Sequence, residues 1–352
     1  MTIVITDDDV KRLLSMEECI DAMRTAFADL SDGKAASPPR MRYAIDTADP
    51  SKRYLANIQA GAVPSFGVAC VRAGSRFMQF EEVDGVRRVL HNVGAKNWTV
   101  VILYELATAE PVAFIHETHI GEIRVGATTG VAVERCARAD AATLGLFGSG
   151  NQAGPILEAV CAVRDIERVA VYSPTEANRR AFAERHRRPG LEIVAVSTPR
   201  EAVDGADIVC CATSAATPVF DGNWLVPGQT VVSIVNSDVI GRRTETDETV
   251  FARADSIVIN DWDSVYANEQ VELLDLLDDG RVDKADVHLL GDVVTGRAPA
   301  RQNGDEIVYY KNNTGLGMQF AAAGAVVWRK MKDAETPYVI PTEWLGSDTG
   351  NT

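Results

Sequence analysis

Apolar residues recur at helical spacing through VKRLLSMEECIDAMRTAFADL, behind Thr6 and the acidic run Asp7 to Asp9, which predicts one or two amphipathic helices with an N-cap. From about Arg40 to Ile115 the pattern changes to short β-rich runs, RYLANIQ, FGVACV and WTVVILYEL, separated by turn residues, and a sheet is expected. The charged stretch QFEEVDGVRRV at residues 79–89 interrupts it and reads as a solvated hairpin tip. Helical spacing returns over Ile120 to Ala139, where Gly126, Ala127, Gly130 and Ala132 permit close packing.

From Thr143 onward apolar strands alternate with amphipathic helices: ATLGLFGSG, PILEAVCAV, RVAVYS, EANRRAFAERH, LEIVAV, PREAVDGA and DIVCCAT. TVVSIV and SIVIND add two strands. Such alternation predicts an α/β fold, a Rossmann-type doubly wound parallel sheet covered on both faces, plus a second α+β domain for substrate binding and dimerisation. The expected division is residues 1–122, completed by 308–345, for the second domain and 123–307 for the nucleotide domain.

Composition narrows the function classes. With 35 Lys and Arg against 50 Asp and Glu, the net charge of -15 repels nucleic acid and anionic membrane surfaces. No apolar run reaches the roughly 18 residues of a spanning helix, and the N-terminus lacks a basic region followed by an apolar core, so a cytoplasmic chain is expected. The six cysteines form no C-x-x-C and no cluster with histidine, which suggests neither a disulfide framework nor a zinc site; most are expected as small buried hydrophobes. His116 and His119 lack an evident third ligand, so no metal is expected. Trp98 and Trp224 read as packing residues.

LGLFGSGNQA places Gly148, Gly150 and Ala153 at G-x-G-x-x-A spacing, directly after an apolar strand and before a helix. Gly148 permits the tight turn, Gly150 lets the backbone approach a pyrophosphate, and the helix start offers unpaired N–H groups; Ser149, Asn151 and Gln152 complete the loop. At the end of the next strand, VYSPTEANRR carries neutral Ser173 and Thr175 where an NAD site usually has a carboxylate, and Arg179 or Arg180 could meet a 2′-phosphate. NADP(H) is therefore favoured over NAD(H), although either arginine could be a solvated helix face and Glu176 argues mildly the other way.

IGEIRVGATTGVA, then LGLFGSGNQA, then DIVCCATSAATPVFDGNWLVPGQTVVSIVNSD together resemble the ornithine cyclodeaminase and mu-crystallin family, over about Pro38 to Ala325. The resemblance implies a homodimer and hydride transfer at a carbon bearing nitrogen. It assigns Arg40 in SPPRMRY and Arg124 in EIRVGAT to a substrate carboxylate, for which planar guanidinium forks are suited. Asp238 in VNSDVIG matches the proton-transfer aspartate, and its place after TVVSIV puts it at the carboxyl edge of the sheet. Thr213 and Ser214 are expected to line the nicotinamide side, with Asn313 and Thr314 near the same ring.

One position departs from the pattern: FGVACV has Ala69 where the family commonly carries a lysine. Arg72, Arg76 and Lys96 are the candidate replacements, although alternation puts Arg72 on the face opposite Ala69 if the strand continues. A missing cation weakens multi-stage ornithine cyclisation most. The first reading is thus an NAD(P)H-dependent oxidoreductase acting on a carboxylate-bearing imine, ketimine or amino acid. A redox-neutral cyclodeaminase releasing ammonia from a diamino acid comes second, and a non-catalytic nucleotide-binding protein third.

Overall fold

The computed structural model describes residues 1–83, 86–90, 98–237, 241–313, 315–334 and 338–347; side chains of 80–83 and 86–90 lie outside the described set. Two compact units result, one of residues 1–79, 90–124 and 316–352, the other of 80–89 and 125–315.

The chain begins with β1 (Thr2–Ile5), α1 (Asp7–Leu13) and α2 (Met16–Ser31). The opening pattern resolves into two helices because Ser15 starts a second capping box: its hydroxyl accepts from Glu18 N while the Glu18 carboxylate accepts from Ser15 N. β2 (Met41–Asp46), β3 (Arg53–Val63), β4 (Val68–Val83), β5 (Val86–Leu90), β6 (Trp98–Glu105) and β7 (Pro111–His116) follow. β5 pairs with β4, and the expected solvated tip between them lies outside the described residues. α3 (Thr118–Cys136) carries the chain into the second unit.

That unit contains β8 (Thr143–Phe147), α4 (Ala153–Val163), β9 (Arg168–Tyr172), α5 (Glu176–Arg185), β10 (Glu192–Ala195), α6 (Pro199–Val203) and β11 (Ile208–Cys211). It continues through β12 (Thr230–Ser233), α7 (Glu248–Arg253), β13 (Ser256–Ile259), α8 (Trp262–Ala267), α9 (Val271–Asp278), β14 (Val287–Leu289), α10 (Leu290–Thr295) and β15 (Val308–Lys311). Its eight strands run parallel in the order β10-β9-β8-β11-β12-β15-β13-β14. The order reverses between β8 and β11, the kind of switch point at which doubly wound sheets bind ligands beyond their carboxyl ends. β8, β11, β12, β13 and β15 are buried almost throughout, as strands covered on both faces must be.

The chain then returns through α11 (Gly317–Met331) and β16 (Val339–Ile340) to the first unit, whose sheet has the order β16-β1-β7-β6-β4-β3-β2. α11 packs directly on β3: a side chain at Gly317 would overlap the Ala60 carbonyl, and one at Gly61 would overlap the Met318 backbone. The return falls later than the expected residue 308. VYYK is buried along its whole length and lies between β12 and β13, so β15 belongs to the second sheet.

All six cysteines are free, and all but Cys161 are buried. Burial pushes the Cys19, Cys70 and Cys136 thiols up to about 12, and raises Cys210 and Cys211 further. Iodoacetamide at mildly alkaline pH should therefore modify at most Cys161 in the native protein, read by intact-mass spectrometry; rapid labelling of five or six thiols would contradict this packing.

Candidate active site

In the second unit the turn after β8 has the geometry its glycines allow. Gly148 adopts φ +105°, and a side chain there would overlap the Ala212 carbonyl at the end of β11. A Cβ at Gly150 would meet nothing within 4 Å, so its backbone is open to an approaching group. Ala153 begins α4, and Gln152 caps it without a side-chain bond; Ala153 N turns back onto the Gly150 carbonyl at 3.1 Å and Pro155 has no N–H, which leaves the Gly154 amide of the first turn. The Gln152 Oε1 is buried without a donor, and Asn151 is exposed. These features fit a dinucleotide pyrophosphate.

The next strand end is tied to this loop. Ser149 Oγ donates to Ser173 Oγ at 3.1 Å, and Thr175 stands at the start of α5 without a side-chain capping bond. Among the described residues from Tyr172 to Thr175 no carboxylate is present. Arg179 is buried, and its Nη1 donates to the Ser173 carbonyl at 3.1 Å. That bond engages Nη1 and lends the strand end a positive charge. Arg180 is exposed and paired with Glu176 at 2.6 Å.

A buried polar network lies beyond β11, β12 and β15. Glu245, fully buried, accepts from Thr213 N at 2.7 Å and Thr213 Oγ1 at 2.8 Å through one oxygen. Through the other it accepts from Ser233 Oγ, Ile234 N and Val235 N, each at 2.9 Å. Five donors to one carboxylate compensate its burial and fix the backbone after β11 and β12. Ser214, next to Thr213, is exposed. Lys311 is also fully buried, donating to the Val235 carbonyl at 3.1 Å and pairing with Glu272 at 3.2 Å. Burial opposes its charge, but Tyr309, Glu272 and Glu245 outweigh that and raise its pKa above the usual lysine value.

Glu272 Oε1 also accepts from Ser237 N at 3.1 Å, while Ser237 Oγ accepts from Arg243 N and donates to the Arg243 carbonyl. The pair thus anchors the residue before Asp238. Asp238 and Thr314 themselves lie outside the described residues, as does Lys96. Asn313 is fully buried with both ends of its amide engaged: Oδ1 accepts from Asn260 N and Nδ2 donates to the Asp261 carbonyl. That arrangement positions the ends of β13 and β15.

Glu245, Glu272 and Lys311 escape a sequence reading. Lys311 alone leaves a signal, a charge closing an otherwise apolar strand. Lys311→Met should leave Glu272 buried and unpaired, costing about 3–5 kcal/mol. A drop of several degrees in Tm is expected, and an unchanged Tm would contradict the pairing.

The arginines assigned to a carboxylate belong to the first unit. Arg124 Nη1 donates to Gln319 Oε1 at 2.9 Å, and its guanidinium lies 4.8 Å from the Phe320 ring centre. Gln319 Oε1 also accepts from Leu316 N, so Arg124 is fixed to the start of α11. Arg40 is half-buried immediately before β2. Arg72 pairs with Glu117 at 3.2 Å and lies 5.5 Å from the Phe320 centre. β4 continues through this region, so alternation puts Ala69 on the opposite face, registered with Ala62 and Tyr104. The alanine therefore removes no charge from the face on which Arg72 and Phe320 meet. His116 and His119 both approach Asp7, and no metal-binding group of three or more ligands occurs among the described residues. Trp98 departs from the packing expectation: it is 67% exposed.

Residues 1–335 match the ornithine cyclodeaminase/mu-crystallin family. The chain belongs to it. It is 26% identical to a Delta(1)-pyrroline-2-carboxylate reductase of Bacillus cereus, over 88% of this chain and 91% of the relative. It is likewise 26% identical to an alanine dehydrogenase of Archaeoglobus fulgidus, over 93% and 94%. The Delta(1)-pyrroline-2-carboxylate reductase of Thermococcus litoralis, solved with NADH and L-proline, superposes with a TM-score of 0.81 at 26% identity, covering 94% of this chain and 98% of that one.

Proposed function

We propose that this family member is an NAD(P)H-dependent oxidoreductase that reduces a carboxylate-bearing imine or ketimine, or runs the reverse reaction on the amino acid. The observation that carries it is the turn at Gly148–Ala153, placed at the switch point with Gly150 open. The relatives supply the chemistry: pyrroline-2-carboxylate reductase and alanine dehydrogenase both work at a carbon bearing nitrogen beside a carboxylate. When bound, the nicotinamide exchanges a hydride with that carbon.

The chain's own residues then divide the work. Gly148, Ser149, Gly150, Asn151, Gln152 and Ala153 hold the pyrophosphate, and Thr213, Ser214 and Asn313 form the nicotinamide side, held in place by Glu245 and Asn260. Arg40 and Arg124 hold the substrate carboxylate, and Asp238 carries the proton to or from nitrogen. Asp238→Asn should lower turnover at least 100-fold with nucleotide affinity intact, since positioned acid–base groups contribute about that much or more. Unaltered turnover would remove the aspartate from this role.

Ser173 and Thr175, with Arg179 behind them, support a preference for NADP(H) over NAD(H). NADPH should bind at least tenfold tighter than NADH in a fluorescence titration, and Ser173→Asp should reverse the order by opposing a 2′-phosphate. Equal dissociation constants in the unsubstituted protein would contradict the preference.

The first sheet offers the surface for a homodimer. Met41, Tyr43, Ile45, Phe77 and Trp98 lie exposed on one face, because register puts Tyr43, Ala56, Ser75 and Trp98 in one row. Free, mostly buried thiols suit the reducing cytoplasm.

The decisive assay offers NADPH and NADH with cyclic ketimines, and with 2-oxo acids plus ammonia or methylamine. Nicotinamide oxidation with one member supports the reductase. Ammonia release from a diamino acid without net nicotinamide change would establish the cyclodeaminase instead.

A further inference from the structure

The first sheet carries a buried cation beyond the two assigned to a carboxylate. Alternation along β2, β3 and β4 puts Arg42, Asn57 and Gly74 in one row on the face of Arg72. The Arg72 guanidinium folds back over Gly74: a Cβ there would lie 3.2 Å from Nη1 and 3.5 Å from Nη2. The missing side chain at Gly74 therefore makes room for the guanidinium.

Arg72 is tightly held but incompletely satisfied. Its side chain is 12% exposed, Nη2 meets Glu117 Oε2, and the Phe320 ring covers it. Nε and Nη1 are buried with no acceptor, and in the neighbouring row Asn57 Oδ1 is buried with no donor. Unspent donors on a buried cation cost free energy unless a ligand supplies the acceptor. Glu117 offsets one unit of charge but leaves Nη1, the nitrogen packed closest over Gly74, buried without an acceptor.

We propose that Arg72 binds a second carboxylate, so that the substrate is an imino or oxo diacid rather than a monocarboxylate. This rests on the reading above, in which Arg40 and Arg124 already match the first carboxylate. Asn57 Oδ1, an acceptor, suits an N–H or O–H of the same ligand. Guanidinium donors at a fixed place favour a carboxylate over a neutral polar chain, because charge-assisted hydrogen bonds are about twice as strong as neutral ones.

Calorimetry with unreactive acids tests this without hydride transfer. Succinate and propionate are titrated into the full chain saturated with NADP+, and again without nucleotide. Succinate should bind at least tenfold tighter; Arg72→Met should abolish that difference while leaving propionate unchanged, and Arg72→Lys should restore part of it. Equal binding of the two acids, no measurable succinate binding, or a loss in Arg72→Met that is equal for both acids would overturn the proposal. Thermal melting of each variant verifies the fold, and Arg72→Lys keeps the test standing if Arg72→Met unfolds. If the reductase reading fails instead, nicotinamide oxidation is absent with every imino acid while the succinate preference persists.

Discussion

Arg124→Met should lower kcat/KM for the imine by about 10³-fold, because removing one partner of a desolvated charge pair typically costs 2–5 kcal/mol. Arg124 is held by Gln319 and laid against Phe320, so its cation is placed before substrate arrives and little ordering entropy is spent on binding. Methionine keeps the apolar stem over Phe320 and deletes only the charge, which separates lost recognition from lost packing. Steady-state kinetics with the preferred imine is the measurement. A change below tenfold would mean that the carboxylate is held elsewhere.

The second large effect is on stability. Glu245→Gln retains the shape of the side chain but turns one of its oxygens into a donor. Placed toward Ser233, Ile234 and Val235, the new amide would face three donors; placed toward Thr213, it would face two. Either way buried donors are orphaned, and about 3 kcal/mol or more should be lost, with Tm falling by several degrees. Nucleotide affinity should fall too, since Glu245 fixes Thr213 and the strand ends beyond which we place the nucleotide. Differential scanning fluorimetry with and without NADPH reads both effects. An unchanged Tm would show that the network tolerates a neutral acceptor and that Glu245 contributes little as a charge.

The two findings differ in how far sequence could reach them. The turn at Gly148 is local: strand, glycine pair and helix start adjoin in the chain, and the positive φ and open Gly150 follow from residues within one motif. Arg124 was accessible through its motif and helix. Glu245 was not, because its five donors come from segments up to 32 residues away, and a carboxylate inside RRTETDE has no local mark of burial. Glu272 and Lys311 meet although they stand 39 positions apart in the chain, for the same reason, which only the inserted strand β15 brings about.

Alternation separated Ala69 from Arg72 correctly, yet it did not say which face was functional. That required α11, returning from the far end of the chain with Gln319 and Phe320 to meet Arg124 and Arg72. Arg179 shows the converse limit. Its spacing suits a phosphate, but spacing does not show that packing ties its Nη1 to the Ser173 carbonyl. Trp98 reads as a packing residue from its side chain, whereas one chain leaves it exposed, in one row with Ser75, Ala56 and Tyr43.

Hydride transfer to a carbon bearing nitrogen is most directly tested by isotope. NADPH deuterated at the transferring nicotinamide carbon is incubated with the purified protein and its preferred imine, and the product is read by mass spectrometry. The account predicts one deuteron on the carbon between the nitrogen and the carboxylate. A product without deuterium at that carbon, formed with release of ammonia, would contradict it.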